Sequence, residues 1–468
     1  MAYETRTSLV DLLLHPRSVA IIGASTNPEA LGGRPVGFLA NYGYAGAVYP
    51  VNPNSEIVQG VRAYPSILDV PEAVDLAMIV VRAELVPATL RDCVTAGVGA
   101  VVLVSSGFGE GGVLDTGVLE SAREAIRGSG IRVLGPNCEG LASLRDSAPV
   151  TFSPVLDVHR GGGRLREGEI SVIGQSGGLT FAVAQWGSEV GLGFNALITV
   201  GNEIDVDELE LAEALLDDPG TSVLVLLMEG VSDLERFAEV ANAYRRAGKT
   251  IVAAKMGRST AGARAALFHT LHDTGDDAAY SRVFEEAGVL QANGMEELTD
   301  ILQAVTKARA ANGRRVGIIT TSGGTGVWLA DACSDAGLEV PVLSAATRTT
   351  LAEHMPAYGS PSNPVDLTAQ FVAGGSFVPP LRDLAASGEV DMIILATSLS
   401  NKGRLDADRE KLAELIPASP VPIALLSYTK PAPTAVELLN GLDVPWYTDA
   451  VRAARGLLAM RRDQASER

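Results

Sequence analysis

Ile170-Ser171-Val172-Ile173-Gly174-Gln175-Ser176-Gly177-Gly178 runs a short apolar segment straight into Ser-Gly-Gly, and Val316-Gly317-Ile318-Ile319-Thr320-Thr321-Ser322-Gly323-Gly324 does the same again. Gly-Leu follows each at one spacing, Gly191-Leu192 counted from Ser176 and Gly337-Leu338 from Ser322. Each Ser-Gly-Gly opens an Ala-rich segment of helical period, so each is expected at a helix N-terminus directly after a strand. Such a start leaves backbone N–H groups unpaired at the positive end of the helix dipole, and glycine lets an anion reach them. Two matched copies read as an internal repeat. Ser176, Gly177 and Gly178 and Ser322, Gly323 and Gly324 are therefore the expected phosphate contacts, both starts serving one charged group. The plain alternative for either copy is a tight turn without a ligand.

Outward from the repeat, short β-branched runs alternate with Ala/Leu-rich helical segments, the pattern of βαβ units. In the first third the runs are Val19–Ile22, Ala47–Val51, Leu76–Val81, Ala100–Val104 and Arg132–Leu134. Asp157 to Glu169, with Gly161-Gly162-Gly163 inside, breaks the pattern and reads as a linker. A second series holds Ile170–Ile173, Ala196–Val200, Ser222–Met228, Thr250–Ala254 and Val289–Gln291; a third holds Val316–Thr320, Val340–Leu343, Met392–Ala396 and Ile423–Ser427. Three tandem α/β domains are expected, at residues 1–156, 164–310 and 314–468.

Composition agrees with that class. With 468 residues the chain exceeds what one core organises, and 5% aromatic residues with 50 Gly suit close-packed α/β layers better than a β-sandwich. Lys and Arg number 37 against 56 Asp and Glu, a net charge of −19, which argues against nucleic acid as a partner. Cys93, Cys138 and Cys333 are too far apart for a disulfide framework or zinc knuckle. Met1 to Pro16 carries Glu4 and Asp11 and lacks the basic start and long apolar run of a signal peptide, and no stretch approaches ~18 uninterrupted apolar residues. A cytoplasmic chain that does not enter the membrane is expected.

Chemistry-bearing residues cluster at strand ends. The first strand closes on Gly23-Ala24-Ser25 with Gly32-Gly33-Arg34 beyond it; this is not G-x-G-x-x-G, which weakens a nicotinamide-dehydrogenase reading. It still sets a Gly turn at the edge where doubly wound sheets bind nucleotides, with Arg34 in reach of a phosphate. Asn52-Pro53, Ser105-Ser106-Gly107 and Gly135-Pro136-Asn137-Cys138 end other strands and converge on that edge, as an extended adenine-containing ligand requires. Gly248-Lys249-Thr250 precedes a strand, whereas a P-loop lysine opens a helix, so no complete ATP site is visible. His269 and His272 share the loop Ala266 to Asp277. A neutral imidazole there suits a phosphoryl acceptor, and Glu229, at the end of the Val223–Met228 run, suits a carboxylate that orients it. A His-His-Asp metal cluster is short of ligands, and no metal is assigned.

Taken in order, Ser18 to Ser25, Tyr49 to Pro53, Gly135 to Cys138, Gln175 to Gly178, Gly201-Asn202, Glu229-Gly230, His269-Thr270 and Asn363-Pro364-Val365-Asp366 resemble the NDP-forming acyl-CoA synthetases over nearly the whole chain. Within that family the α subunits of ADP-forming acetate–CoA ligase are nearest and succinyl-CoA synthetase is more distant. The resemblance implies a Rossmann-like CoA-binding domain followed by two flavodoxin-like, succinyl-CoA synthetase-like domains. It implies His269 as a phosphohistidine with Glu229 beside it, and coenzyme A on Gly23, Ser25, Arg34, Asn52, Pro53, Ser105, Ser106, Gly107 and Asn137. It implies, further, an ATP-grasp β subunit carrying ADP/ATP and Mg, a small carboxylic acid as substrate, and an oligomer. After His269-Thr270 the family continues with small residues, whereas this chain has Leu271, His272 and Asp273. Phe181 stands where succinate-using relatives tend to have Tyr, which favours a monocarboxylic acyl group. The competing reading is a CoA- or acyl-CoA-binding regulatory protein of the same fold.

Overall fold

The computed structural model describes residues 8–108, 116–160, 163–269 and 274–461. They form two compact units, one running through Glu189 together with Gly193–Asn293, the other joining Val190–Leu192 to the chain from Gly294 on.

The first unit holds two large sheets. In one, β1 (Ser18–Ile22), β2 (Ala47–Val51), β5 (Leu76–Ile79), β6 (Ala100–Leu103) and β7 (Arg132–Leu134) run parallel in the order β2-β1-β5-β6-β7, with a small hairpin of β3 (Ile57–Val58) and β4 (Val61–Arg62) beside them. Successive residues of these strands enter different cores: Ile21, Met78 and Val102 one, Ala20, Ala77 and Val101 the other. That two-sided burial is why the strands read as unbroken apolar runs. The second sheet comprises β8 (Gly140–Ser143), β9 (Ala148–Thr151), β10 (Glu167–Gly174), β11 (Phe194–Thr199), β12 (Val223–Met228), β13 (Thr250–Lys255) and β14 (Leu290–Gln291), in the order β14-β13-β12-β10-β11-β8-β9. Ile173, Leu224 and Leu226 share a core with Ile21 and Met78, so the two sheets of this unit are packed through common side chains.

The second unit carries β15 (Val316–Thr320), β16 (Val365–Asp366), β17 (Met392–Thr397), β18 (Ile423–Ser427) and β19 (Trp446–Tyr447), all parallel, in the order β16-β15-β17-β18-β19. The helix Met295–Lys307 belongs here: Asp300 takes a bidentate pair from Arg452, at 2.7 and 2.9 Å, and the Gln303 amide bonds both backbone groups of Trp446.

One expected strand fails and one unexpected hairpin appears. Val340–Leu343 is not a strand. Pro341 has no N–H to give a ladder, Val342 is 91% exposed, and the chain beside β15 is held by the Asn363 amide, which bonds the backbone of Val316, Ile318 and Pro341. β16 takes the place instead, with Ile319 opposite Val365. The β8–β9 hairpin was not expected, and it pairs antiparallel with β11. No helix among the described residues is long and apolar enough to cross a membrane.

One buried group costs stability. Glu208 is fully buried at the start of the helix Glu208–Leu216, and neither carboxyl oxygen has a hydrogen-bond partner among the described residues. Burial pushes its carboxyl well above the ordinary range, and the charges of Glu203 and Asp207 push it the same way. The folded chain therefore keeps a proton that the unfolded chain releases, and stability falls as pH rises from the ordinary carboxylate range through the raised folded value. Glu208→Gln, which cannot ionise and so drops out of the proton linkage, is expected to raise the unfolding free energy at pH 8 by about 1–3 kcal/mol, roughly one to two pH units of linkage at about 1.4 kcal/mol each, and to change little near pH 4. Urea titrations at the two values check this; equal effects at both would show that Glu208 is not the titrating group.

Candidate functional site

The carboxyl ends of the first sheet bring most of the expected contacts to one edge. Gly23 follows β1 with φ +90°, and a Cβ there would lie 2.2 Å from the Val80 carbonyl oxygen, so only glycine fits. The N–H groups of Gly23 and Ala24 donate to Val51 O, and Asn52 Nδ2 donates to Ala24 O at 2.8 Å, which ties the β1 and β2 loops together. Ser25, partly buried, accepts the Asn27 N–H on its hydroxyl, while Pro53, Ser106 and Gly107 are exposed beside it. The Ser105 hydroxyl is turned inward and donates to Val81 O at 2.5 Å. Arg34 opens the helix Arg34–Tyr42, and its Nη1 donates to Phe152 O just beyond β9.

After β7 the turn is pinned to the second sheet. Asn202 N and Ile204 N donate to Pro136 O and Gly135 O, and Asn137, at φ +58°, receives no strain relief from glycine but places its amide 3.3 Å from Asn202 Oδ1. A Cβ on Gly201 would lie 2.1 Å from Pro136 O, so the Gly201-Asn202 pair exists to let these two loops touch. Cys138 is buried with its thiol on Leu103 O; burial pushes it up to about 12, so it stays a neutral packing group.

On the second sheet, Glu229 follows β12 and is buried. The Gln175 amide, also buried, accepts the N–H groups of Glu229 at 2.6 Å and Gly230 at 3.3 Å, and donates to Gly230 O at 2.8 Å and to Glu203 Oε2 at 3.4 Å. Gln175 thus clamps the end of β12 to the turn that starts the helix Gly177–Glu189. Lys255, ending β13, sets a buried ammonium at the same edge, on Met256 O and 4.8 Å over the Tyr280 ring. His269 is the last residue of the helix Thr260–His269; its side chain, and Thr270 to Asp273 with His272, lie outside the described residues.

Both Ser-Gly-Gly stretches open helices, Gly177–Glu189 and Gly323–Asp335. In the second, Ser322 is the N-cap and accepts the Thr325 N–H. Phe181 is wholly buried inside the core, so the ring presents no surface to a substrate.

The comparisons with known proteins point one way. Residues 17–143 match the model of a CoA binding domain, 167–305 that of a succinyl-CoA ligase like flavodoxin domain, and 316–376 that of a ligase-CoA domain. The α subunit of ADP-forming acetate–CoA ligase I from Pyrococcus furiosus is 36% identical, the match covering 96% of this chain and 97% of that one. The chain belongs to the NDP-forming acyl-CoA synthetases. A 4-hydroxybutyrate–CoA ligase from Nitrosopumilus maritimus is 31% identical over 96% of this chain but only 64% of its own length. Among solved structures, the dinucleotide-forming acetyl-coenzyme A synthetase 1 of Ca. Korarchaeum cryptofilum in complex with phosphate and ADP superposes with a TM-score of 0.84 at 28% identity, covering 97% of this chain and 96% of that one. The family and the three-part α/β fold read from the motifs are those the comparisons find.

In this acyl-CoA synthetase the motifs contain Gln175 without giving it a role, and leave Glu203 and Lys255 unmarked. Gln175 sits inside the quoted Gln-Ser-Gly-Gly, and its signal was the polar residue between a buried strand and a helix start. Gln175→Ala strands two buried N–H groups, and unfolding in urea should lose about 1–3 kcal/mol. A loss within the scatter of an exposed Gln→Ala control would mean that water replaces the amide.

Proposed function

We propose that the chain is the α-type subunit of an ADP-forming acyl-CoA synthetase. Phosphate displaces CoA from an acyl-CoA to give an acyl phosphate, and an imidazole nitrogen of His269 takes the phosphoryl group and releases the carboxylate. A separate ATP-grasp subunit, with Mg and ADP, then receives it to form ATP. CoA lies along the edge from Gly23, Ser25 and Arg34 past Asn52 and Pro53 to Ser105, Ser106, Gly107 and Asn137. Ser176 to Gly178 hold the transferred phosphoryl anion, and Ser322 to Gly324 supply a second anion-binding helix start. Glu229 orients the imidazole through its other nitrogen. We place the enzyme in the cytoplasm, as a reducing compartment suits the free, buried Cys93, Cys138 and Cys333.

The observation that carries this reading is the Gln175 clamp, because it fixes the Glu229 backbone to the start of the Gly177 helix. An acid that orients a phosphorylated imidazole and the amides that hold its charge are then on two turns tied together by one side-chain amide. The buried Lys255 ammonium adds a positive charge at that edge.

Incubation of the chain with acetyl-CoA and labelled inorganic phosphate is expected to give an acid-labile, base-stable phosphorylated protein. His269→Asn should reduce the label to background, and His272→Asn should retain most of it. Label that survives His269→Asn moves the acceptor elsewhere; no label in any form, with the ATP-grasp partner present, favours the regulatory reading. Separately, calorimetry should detect CoA binding to the full chain, and Gly23→Ala should abolish it because the Cβ meets the Val80 carbonyl. Undiminished binding by that folded variant would remove CoA from this edge.

A further inference from the structure

The first Ser-Gly-Gly start is not bare: a side chain of this same chain rests on it. A Cβ placed on Gly177 would lie 2.7 Å from Glu139 Cβ and 3.1 Å from Glu139 Oε2, so the carboxyl packs directly on the first residue of the helix. Its backbone is fixed on both sides, the N–H donating to Thr199 Oγ1 at 3.0 Å and the C=O accepting from Thr151 Oγ1 at 2.6 Å. The second copy repeats the arrangement, with Asp366 Oδ2 3.0 Å from the Cβ position of Gly323. Two unrelated loops therefore deliver a carboxyl to the same place in each repeat. Asp366 is engaged further, since Oδ1 accepts the Thr368 N–H at 2.9 Å, and Ser322 already caps that helix.

We propose that Glu139 contacts the substrate anion at the start of the Gly177 helix and admits it only while carrying a proton, so that anion binding there is proton-linked. This rests on the reading that Ser176 to Gly178 hold the phosphoryl group. An ionised Glu139 and a phosphate would be like charges on one helix start, whereas the protonated carboxyl donates its O–H to a phosphate oxygen. The groups facing Glu139 leave it able to switch. Burial raises its pKa, and the Ser153 hydrogen bond and the Arg34 charge oppose burial without cancelling it. The adjacent Cys138 thiol is neutral, and Thr151 and Thr199 carry no charge. Glu139 immediately follows Gly135-Pro136-Asn137-Cys138, whose Asn137 is among the proposed CoA contacts, so its place in the chain joins the proposed CoA edge to the Gly177 helix start.

Calorimetric titration of inorganic phosphate into the full chain between pH 6 and pH 8.5 tests this, with Glu139→Gln as the uncharged isostere. Only the protonated fraction binds, so the wild-type apparent Kd weakens tenfold per pH unit above the Glu139 pKa. Glu139→Gln carries only the ionisation of phosphate itself, and the ratio of wild-type to variant Kd should grow at least tenfold from pH 6 to pH 8.5. Ser153→Ala, which removes a bond that lowers the Glu139 pKa, should move the wild-type loss to higher pH. Parallel profiles for wild type and Glu139→Gln overturn the proposal, as does a wild type that binds no phosphate at either extreme. Label from acetyl-CoA with parallel profiles leaves the functional reading standing without Glu139. A diverging ratio with no label keeps the proton-linked site and rejects the phosphohistidine reading.

Discussion

A helix that starts on Ser-Gly-Gly leaves its first N–H groups without intrahelical partners, and glycine removes the Cβ that would shield them. An acceptor has to meet them, whether a side chain, water or an anion. In this chain a carboxyl side chain packs against each start, Glu139 on Gly177 and Asp366 on Gly323, and in the second copy Ser322 accepts the Thr325 N–H. The surrounding structure follows from holding these starts in place. β10 and β15 end where the helices begin, the β8–β9 hairpin positions Glu139 through Thr151, and Asn363, Val365 and Asp366 run beside β15 so that the second carboxyl arrives.

The Gln175 clamp has the same origin. A parallel sheet ends its strands on one edge, and the loops leaving that edge carry polar backbone groups into a crowded, partly buried place. Gln175 offers an acceptor and two donors from one short side chain, enough to serve Glu229, Gly230 and Glu203 together. Glu203 in turn accepts the Glu208 N–H at 2.8 Å. The helix that buries Glu208 is thus joined through Glu203 and Gln175 to the turn that carries Glu229, so Glu208 is retained at a cost in stability beside the site.

Much of the fold was legible because parallel strands buried on both faces write themselves as apolar runs. Ala47–Val51, Arg132–Leu134, Val316–Thr320 and Ile423–Ser427 stand as the pattern places them. Where the sequence misled, the deciding partner was distant. Val340–Leu343 has strand composition, yet Asn363 and Pro341 settle its fate. Gly140–Ser143 and Ala148–Thr151 are short and rich in small residues, and become strands by pairing with β11. For the site, motifs located the helix starts and the Glu229 turn, because Gly and strand-end polarity are local signals. Glu139 gave no local signal, since its meaning lies in contact with Gly177, far along the chain.

A net charge of −19 opposes the approach of any phosphate, so attraction at the site has to be local. The groups available for it are the helix-start amides, Lys255 and Arg34, and of these Lys255 is buried while Arg34 already donates to Phe152 O. Added salt screens the long-range repulsion from the surface acids over about a Debye length, roughly 8 Å at physiological strength, and acts little on partly buried amides. A further ionised carboxyl at the helix start is the one term salt would not relieve, because it sits in contact with the anion. Neutralising that carboxyl with a proton removes it at the place where screening fails, which is why burial of Glu139 works for binding here while burial of Glu208 only weakens the fold.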